Sequence, residues 1–174
     1  MEAEWLKIKV PITCIVFIKK LKFATAIKDT WGKRCNEVLF FSQKLDHPDL
    51  SVINLGIKYT SSWQYLCEVF NYIWRKKDEM HLKWIIFVKD DTIVIPENLR
   101  LILAPLDFRE PHYLGHAVIL WGQSYNIAEA GYVISYESLR RLVEKFGSHE
   151  KCASSGKYWK KEDYFLGIYS NYLL

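Results

Sequence analysis

The residue types best suited to chemistry sit in one short stretch, Lys89-Asp90-Asp91, which follows the uninterrupted apolar run Trp84-Ile85-Ile86-Phe87-Val88. A short apolar run closed by charge reads as a strand buried on both faces. Acids just beyond such a strand lie where open α/β sheets collect ligands, at the carboxyl ends of the strands. Two carboxylates there suit a divalent metal or a ligand hydroxyl, and the adjacent lysine opposes the metal. The four cysteines, Cys14, Cys35, Cys67 and Cys152, lack metal-ligand spacing. They allow one or two disulfides and leave the compartment open.

The elements that must position this triplet alternate between strand and helix patterns. Residues 1–10 form a charged lead-in, and the domain occupies 11–174. Residues 12–18 read as a buried first strand, and 23–34 as a helix with Phe23, Ala24, Ile27 and Trp31 at helical spacing. A second strand follows at 37–41, then turn chemistry at His47-Pro48-Asp49, a short strand at 51–55 and Gly56 as a breaker. Ser61 or Ser62 caps a helix whose apolar stripe is Trp63, Leu66, Cys67, Phe70, Ile73 and Trp74. Strand 84–88 comes next, and Pro96 opens a helix through 103. A strand is expected at 113–118, a hairpin turn at 122–126 and a returning strand at 130–135. Ser135 then caps a helix that Gly147 stops, residues 148–156 are loop, and a last helix spans 161–169. This order indicates an α/β fold with a largely parallel central sheet.

Composition narrows the function classes. With 174 residues, 50% apolar and 16% aromatic, the chain is one domain with a sizeable core. Seven Trp and eleven Tyr suit either stacking of a sugar or nucleotide or, more blandly, a large aromatic core. A net charge of +4 without a block of like charges gives nucleic-acid binding no support. No window approaches the roughly 20 apolar residues that cross a bilayer, and Glu2, Glu4, Lys7 and Lys9 interrupt any signal peptide. The chain therefore reads as soluble and without a targeting address. A Gly-rich phosphate loop of the dinucleotide or P-loop kind is missing. Nucleotide-sugar transferases of the GT-A type need none, because they hold the diphosphate through a metal on strand-end acids.

Four segments, in order, carry a family resemblance: Lys28-Asp29-Thr30-Trp31 with Arg34-Cys35-Asn36; Trp84 through Asp90-Asp91-Thr92 to Glu97-Asn98-Leu99; Ala130-Gly131-Tyr132-Val133-Ile134-Ser135; and Glu162-Asp163 with Leu166-Gly167. Together they resemble the β1,3-galactosyltransferase (fringe-like) superfamily, within it the branch that makes the core 1 structure of mucin-type O-glycans, over about residues 12–170. The resemblance implies a GT-A-like (Rossmann-like) domain, Mn²⁺ and UDP-galactose in active members, and type II membrane proteins with lumenal domains in the ER or Golgi. This chain lacks the anchor. The family continues well past the position of Leu174, with a metal-ligand histidine and further cysteines, so the chain reads as truncated at its C-terminus.

Residue by residue, Asp91 matches the acid that ligates Mn²⁺ on the diphosphate, and Asp90 the middle acid, expected near the ribose or behind the metal. Lys89 replaces the first acid of an Asp-Asp-Asp motif. Glu162 and Asp163 match an acidic pair on the acceptor side, one of which would deprotonate the acceptor hydroxyl; the blander reading is favourable charge in a helix's first turn. Among the cysteines, the resemblance leaves Cys152 without its family partner. Cys14 and Cys35 are the expected disulfide, and Cys67 a buried free thiol. Other departures fall nearby. A Gly-Gly-Ala-Gly stretch of active members appears as Ala128-Glu129-Ala130-Gly131, and Tyr65 and Leu66 replace a Lys-Thr pair.

Lysine in place of aspartate changes the local formal charge of the triplet from −3 to −1. Each unit-charge pair at 4 Å is worth on the order of 4 kcal/mol at an effective dielectric of 20. Three outcomes stay open: no metal; a weak metal on Asp91 with Lys89 turned away; or the ammonium itself pairing with a diphosphate. The branch holds both the galactosyltransferase and a catalytically silent relative that serves as its chaperone. Tyr113-Leu114-Gly115-His116, Glu150-Lys151-Cys152 and Trp159-Lys160 resemble the silent one. The leading expectation is therefore a catalytically degenerate relative whose partner is the core 1 galactosyltransferase polypeptide. The alternatives are an active transferase acting on O-GalNAc glycoproteins and a piece with no function of its own.

Overall fold

The computed structural model describes residues 2–56, 59, 61–156 and 161–173. The first element is helix α1 (Glu2–Lys9), which buries Leu6 against the sheet side of the chain. The lead-in therefore carries helical structure that its charge pattern did not announce. Strand β1 (Ile12–Phe17) and strand β2 (Glu37–Phe41) flank helix α2 (Leu21–Asp29) and a 3-10 turn at Trp31–Arg34. The helix expected over 23–34 is thus two pieces, broken at Thr30. The short strand expected at 51–55 is reduced to a single bridge between Phe41 and Ile53.

Helix α3 (Ser62–Arg75) starts at Ser61, whose side chain accepts a hydrogen bond from the Gln64 N–H. Its stripe is buried as the spacing requires: Trp63, Leu66, Cys67, Phe70 and Ile73 all face the core. Strand β3 (Trp84–Lys89) leads to helix α4 (Pro96–Leu103). Beyond it lie β4 (Tyr113–Gly115), β5 (Ala117–Leu120), β6 (Gln123–Asn126) and β7 (Tyr132–Ser135). Helices α5 (Tyr136–Phe146), α6 (His149–Ser155) and α7 (Glu162–Leu173) complete the chain.

The main sheet has the order β2-β1-β3-β7-β4. Strands β2, β1 and β3 are parallel, and β7 runs against both β3 and β4, so four of the five strands point the same way. This is the mostly parallel α/β sheet of a GT-A-like domain. Alternation along β3 divides the core. Ile85 and Phe87 face α3, α5 and α7 with Ile15, Phe70 and Leu142, while Trp84, Ile86 and Val88 face α1, α2 and α4 with Leu6, Ile27 and Leu103. With helices on both faces, the continuous apolar run has nowhere to be polar.

Three further segments differ from the expected pattern. The strand expected at 113–118 is divided at His116 between β4 of the main sheet and β5, which pairs with β6 in a separate two-stranded sheet. Residues 123–126 are strand β6, not a turn, because Trp121 and Gly122 alone reverse the chain, both at positive φ (51° and 77°). That is the left-handed pair a tight two-residue hairpin needs. Residues 148–156 hold helix α6 instead of a loop: Ser148 caps it by accepting from the Lys151 N–H, and Cys152 anchors it. Helix α7 lies on β6 through Gly167, where a Cβ would meet Tyr125 Cβ at 2.3 Å.

Both cysteine pairs are closed. Cys14–Cys35 bridges β1 to the start of β2, as expected. Cys67 and Cys152, expected free and unpaired, form a second disulfide with Cα atoms 5.8 Å apart, joining α3 to α6. The free-thiol expectation rested on the apolar helix face around Cys67 and on the resemblance, which left Cys152 without its family partner. It failed because residues 149–155 fold as a helix that presents Cys152 to that same face of α3. The aromatic residues mostly fill the core: Trp31, Trp63 and Trp84 are buried, whereas Trp5 and Trp121 are exposed. Trp159-Lys160 lies outside the described residues. Arg100, 1% exposed, is satisfied by the carbonyls of Val10 and Arg34 and by Asn36 Oδ1.

Candidate functional site

The parallel strands β2, β1 and β3 end on one side of the sheet, and a cavity of about 780 Å³ opens there. That lies within the size range of small-molecule and cofactor sites. Its walls come from residues 17–19 at the end of β1, residues 41–45 at the end of β2, Lys89 at the end of β3, the first turn of α3, Glu129, and Lys161 with Glu162 and Asp163 at the start of α7. A ligand here would meet the carboxyl ends of three strands, the usual place in such sheets.

Of the residues singled out in the sequence, Lys89, Glu162 and Asp163 meet on this wall. Lys89 Nζ donates to Glu129 Oε1 at 2.8 Å, and the lysine side chain is 24% exposed. Burial acts to lower its pKa, but the hydrogen bond to Glu129 and the charges of Glu129, Glu162 and Asp163 outweigh it and hold the ammonium above the ordinary lysine range. The same hydrogen bond keeps the Glu129 carboxylate below its usual range. Lys89 therefore does not turn away from the ligand space.

Asp90 points elsewhere. Buried at 7% exposure, it accepts through Oδ2 from the backbone N–H groups of both Lys19 and Lys20, 2.8 Å each. It thereby fastens the turn after β1 to the end of β3. Asp91 is exposed and is not among the residues lining the cavity. Asp163 is buried, with Oδ2 accepting from the Ala128 N–H at 3.2 Å and Oδ1 from the Tyr164 N–H at 2.8 Å. Oδ2 thus holds α7 to the 126–131 segment, while Oδ1 is engaged within the first turn of α7 itself. Glu162, half-buried, borders the cavity in the first turn of α7.

The Mn²⁺ that the resemblance implies does not fit these residues. Among the described residues no group of three acids, histidines or cysteines converges. Asp90 is committed to two backbone donors, and an ammonium occupies the wall where a further carboxylate would stand. Removing the Asp90 carboxylate should therefore be felt in the fold. Asp90→Ala is expected to lower stability by about 2–3 kcal/mol, given that hydrogen bonds to charged groups are worth roughly 1.5–3 kcal/mol, with Asp90→Asn losing less. Urea unfolding checks this; an unchanged midpoint with weakened ligand binding would show a ligand contact instead.

Sequence reasoning noted Tyr65 only as a replacement and missed Tyr59 as a lining residue. Tyr59 and Tyr65 border the cavity with ring centroids 5.0 Å apart, each 8% exposed. Their hydroxyls have no hydrogen-bond partner among the described residues. Burial pushes both pKa values up, that of Tyr59 to about 12, so each stays a neutral donor. Both hydroxyl oxygens are themselves shut away from solvent, so it is the rings that the two residues present to the cavity. Glu129 was missed as a partner too, since nothing in the sequence ties it to a lysine 40 positions away.

Comparison with known proteins adds to this geometry. A family model described as Fringe-like matches residues 19–173. Glycoprotein-N-acetylgalactosamine 3-beta-galactosyltransferase 1 of Xenopus laevis is 31% identical over 149 residues, which is 83% of this chain and 41% of the frog protein. Beta-1,3-glucosyltransferases of Mus musculus and Homo sapiens are 27% and 26% identical over 125 and 124 residues, 67% of this chain and 25% and 24% of theirs. The chain thus spans about two fifths or less of the length of these curated relatives.

Proposed function

The chain belongs to the Fringe-like family, and we propose that within it the protein keeps a sugar-nucleotide cavity but has lost metal-assisted galactosyl transfer. It would work in core 1 mucin-type O-glycan assembly as a chaperone-like partner of the active β1,3-galactosyltransferase polypeptide. The observation that carries this reading is the Lys89–Glu129 ion pair on the cavity wall, 2.8 Å long, where metal-dependent chemistry would need a converging set of acids. Asp163, the candidate base, has each oxygen engaged by a backbone N–H. The cavity itself supports retained UDP-sugar binding, with the rings of Tyr59 and Tyr65 in its wall.

Two disulfides support an oxidising compartment, the ER or Golgi lumen in this reading. No helix among the described residues is long and apolar enough to cross a membrane. A second reading is favoured by the frog relative, whose name states a 3-beta-galactosyltransferase acting on glycoprotein N-acetylgalactosamine; in that reading this chain would transfer galactose from UDP-galactose to GalNAc-Ser/Thr with Mn²⁺. Incubating the purified chain with UDP-galactose, Mn²⁺ and a GalNAc-peptide separates the two. The expected outcome is no transfer above background, together with a higher yield of soluble active transferase on co-expression. Transfer abolished by Asp91→Ala would establish the second reading and end the first.

A further inference from the structure

We propose that Lys89 binds the diphosphate of a nucleoside-diphosphate ligand directly, so that binding in this cavity needs no divalent metal. The inference rests on the reading of the cavity as a sugar-nucleotide site and specifies how that site takes up negative charge.

Lys89 is the last residue of β3, in the middle of the sheet, so its stem starts from a rigid strand. The ammonium is steadied on one side by Glu129 Oε1 at 2.8 Å. The segment carrying Glu129 is held in turn, since Thr92 Oγ1 donates to the Glu129 carbonyl at 3.4 Å. A lysine has three N–H donors. One goes to Glu129, which leaves two for phosphate oxygens without breaking the pair. Lysine serves as a point charge for phosphates elsewhere, and here the ion pair fixes where that charge stands before a ligand arrives.

The charges around it favour an anion over a cation. Lys19, Lys44, Lys89 and Lys161 border the cavity against Glu129, Glu162 and Asp163. A metal ion seated near the diphosphate would face the Lys89 ammonium at close range with no set of three converging ligands among the described residues. A metal-free diphosphate meets the same ammonium as a counterion. Lys89 and Glu129 are the two ends of this one contact. Either alone would leave a charge unpaired on the wall; together they make an anion subsite that needs no metal to fill it.

Calorimetric titration of UDP into the full chain, in EDTA and then in Mn²⁺, tests this. The expected result is a dissociation constant that agrees within about twofold between the two conditions. Lys89→Ala should weaken UDP by about tenfold to a hundredfold, in line with loss of a charge-assisted contact to phosphate, and Lys89→Arg should restore most of it. Glu129→Gln should tighten UDP several-fold, and uridine, which lacks the diphosphate, should be indifferent to all three. Cooperative unfolding of each variant guards against misfolding. Binding that appears only with Mn²⁺, or an unchanged UDP affinity in Lys89→Ala, overturns the proposal and leaves the cavity reading standing. No UDP binding to the folded chain in either condition removes the cavity reading, and this inference with it.

Discussion

Cys152→Ser should be among the most damaging single substitutions in this chain. The Cys67–Cys152 bridge closes a loop of 85 residues, and loop-closure entropy for that length is worth about 4.6 kcal/mol at 25 °C. In a domain of this size each kcal/mol corresponds to roughly 2–4 °C of melting temperature, so a fall of about 9–18 °C is expected. Cys67→Ser should match it, and the double variant should lose no more than either single one, because one bond is removed in all three. The Cys14–Cys35 bridge, with a separation of 21, should be worth less, about 3.3 kcal/mol on the same account. Thermal unfolding of the three variants under non-reducing conditions provides the comparison. Alkylation of Cys67 in the native, unreduced protein would contradict the pairing itself.

Trp63→Ala should come close in size. The indole is completely buried in the first turn of α3, and its Nε1–H donates to the Cys152 carbonyl at 2.8 Å. Its ring stacks on Tyr169 at 13° and packs against Phe146 and Phe165, so it joins α3, α5, α6 and α7 at one point. Gly156 is shaped to it, since a Cβ there would sit 2.3 Å from Trp63 Cδ1. Truncating a buried Trp to Ala costs about 3–5 kcal/mol, and the vacated volume is too aromatic and too constrained by the disulfide to collapse well. Because Trp63 and Cys152 share a hydrogen bond, their effects should not add. A double variant losing clearly less than the sum, measured by urea unfolding, would show that α6 docks as one unit; strict additivity would show two independent anchors.

The same packing determines what the cavity can do. Helix α7 brings Glu162 and Asp163 to the wall only because Gly167 lets it lie on β6 and Asp163 grips the Ala128 N–H. An acid recruited as a structural tether is a poor candidate for a base, since each oxygen already has a donor. Asp90 is spent in a similar way on the turn after β1. The charged group left facing ligand space at the end of β3 is Lys89, and its nearest anion is a side chain from the segment before β7.

What the sequence determined by itself were the local choices. The apolar run at β3, the Ser61 and Ser135 caps, Pro96 at the start of α4 and Gly147 at a φ of 68° after α5 are set by neighbours within a turn or two. So was the α/β order, from which the cavity's place at the strand ends follows. Other features waited for the fold because their causes lie far away along the chain. Helix α6 is held by a cysteine 85 residues distant and reads locally as a loop. Strand β6 exists because Trp121 and Gly122 can reverse the chain in two residues and α7 covers the result. The fates of the acids were hidden for the same reason. The partners that draw Asp163, Glu129 and Asp90 across the fold are backbone N–H groups or an ammonium at separations of 35 to 71 residues, and no spacing rule reaches that far. Sequence placed the charges at the end of β3, and tertiary contacts alone decided that Asp90 would hold the chain together while Lys89 would face the ligand.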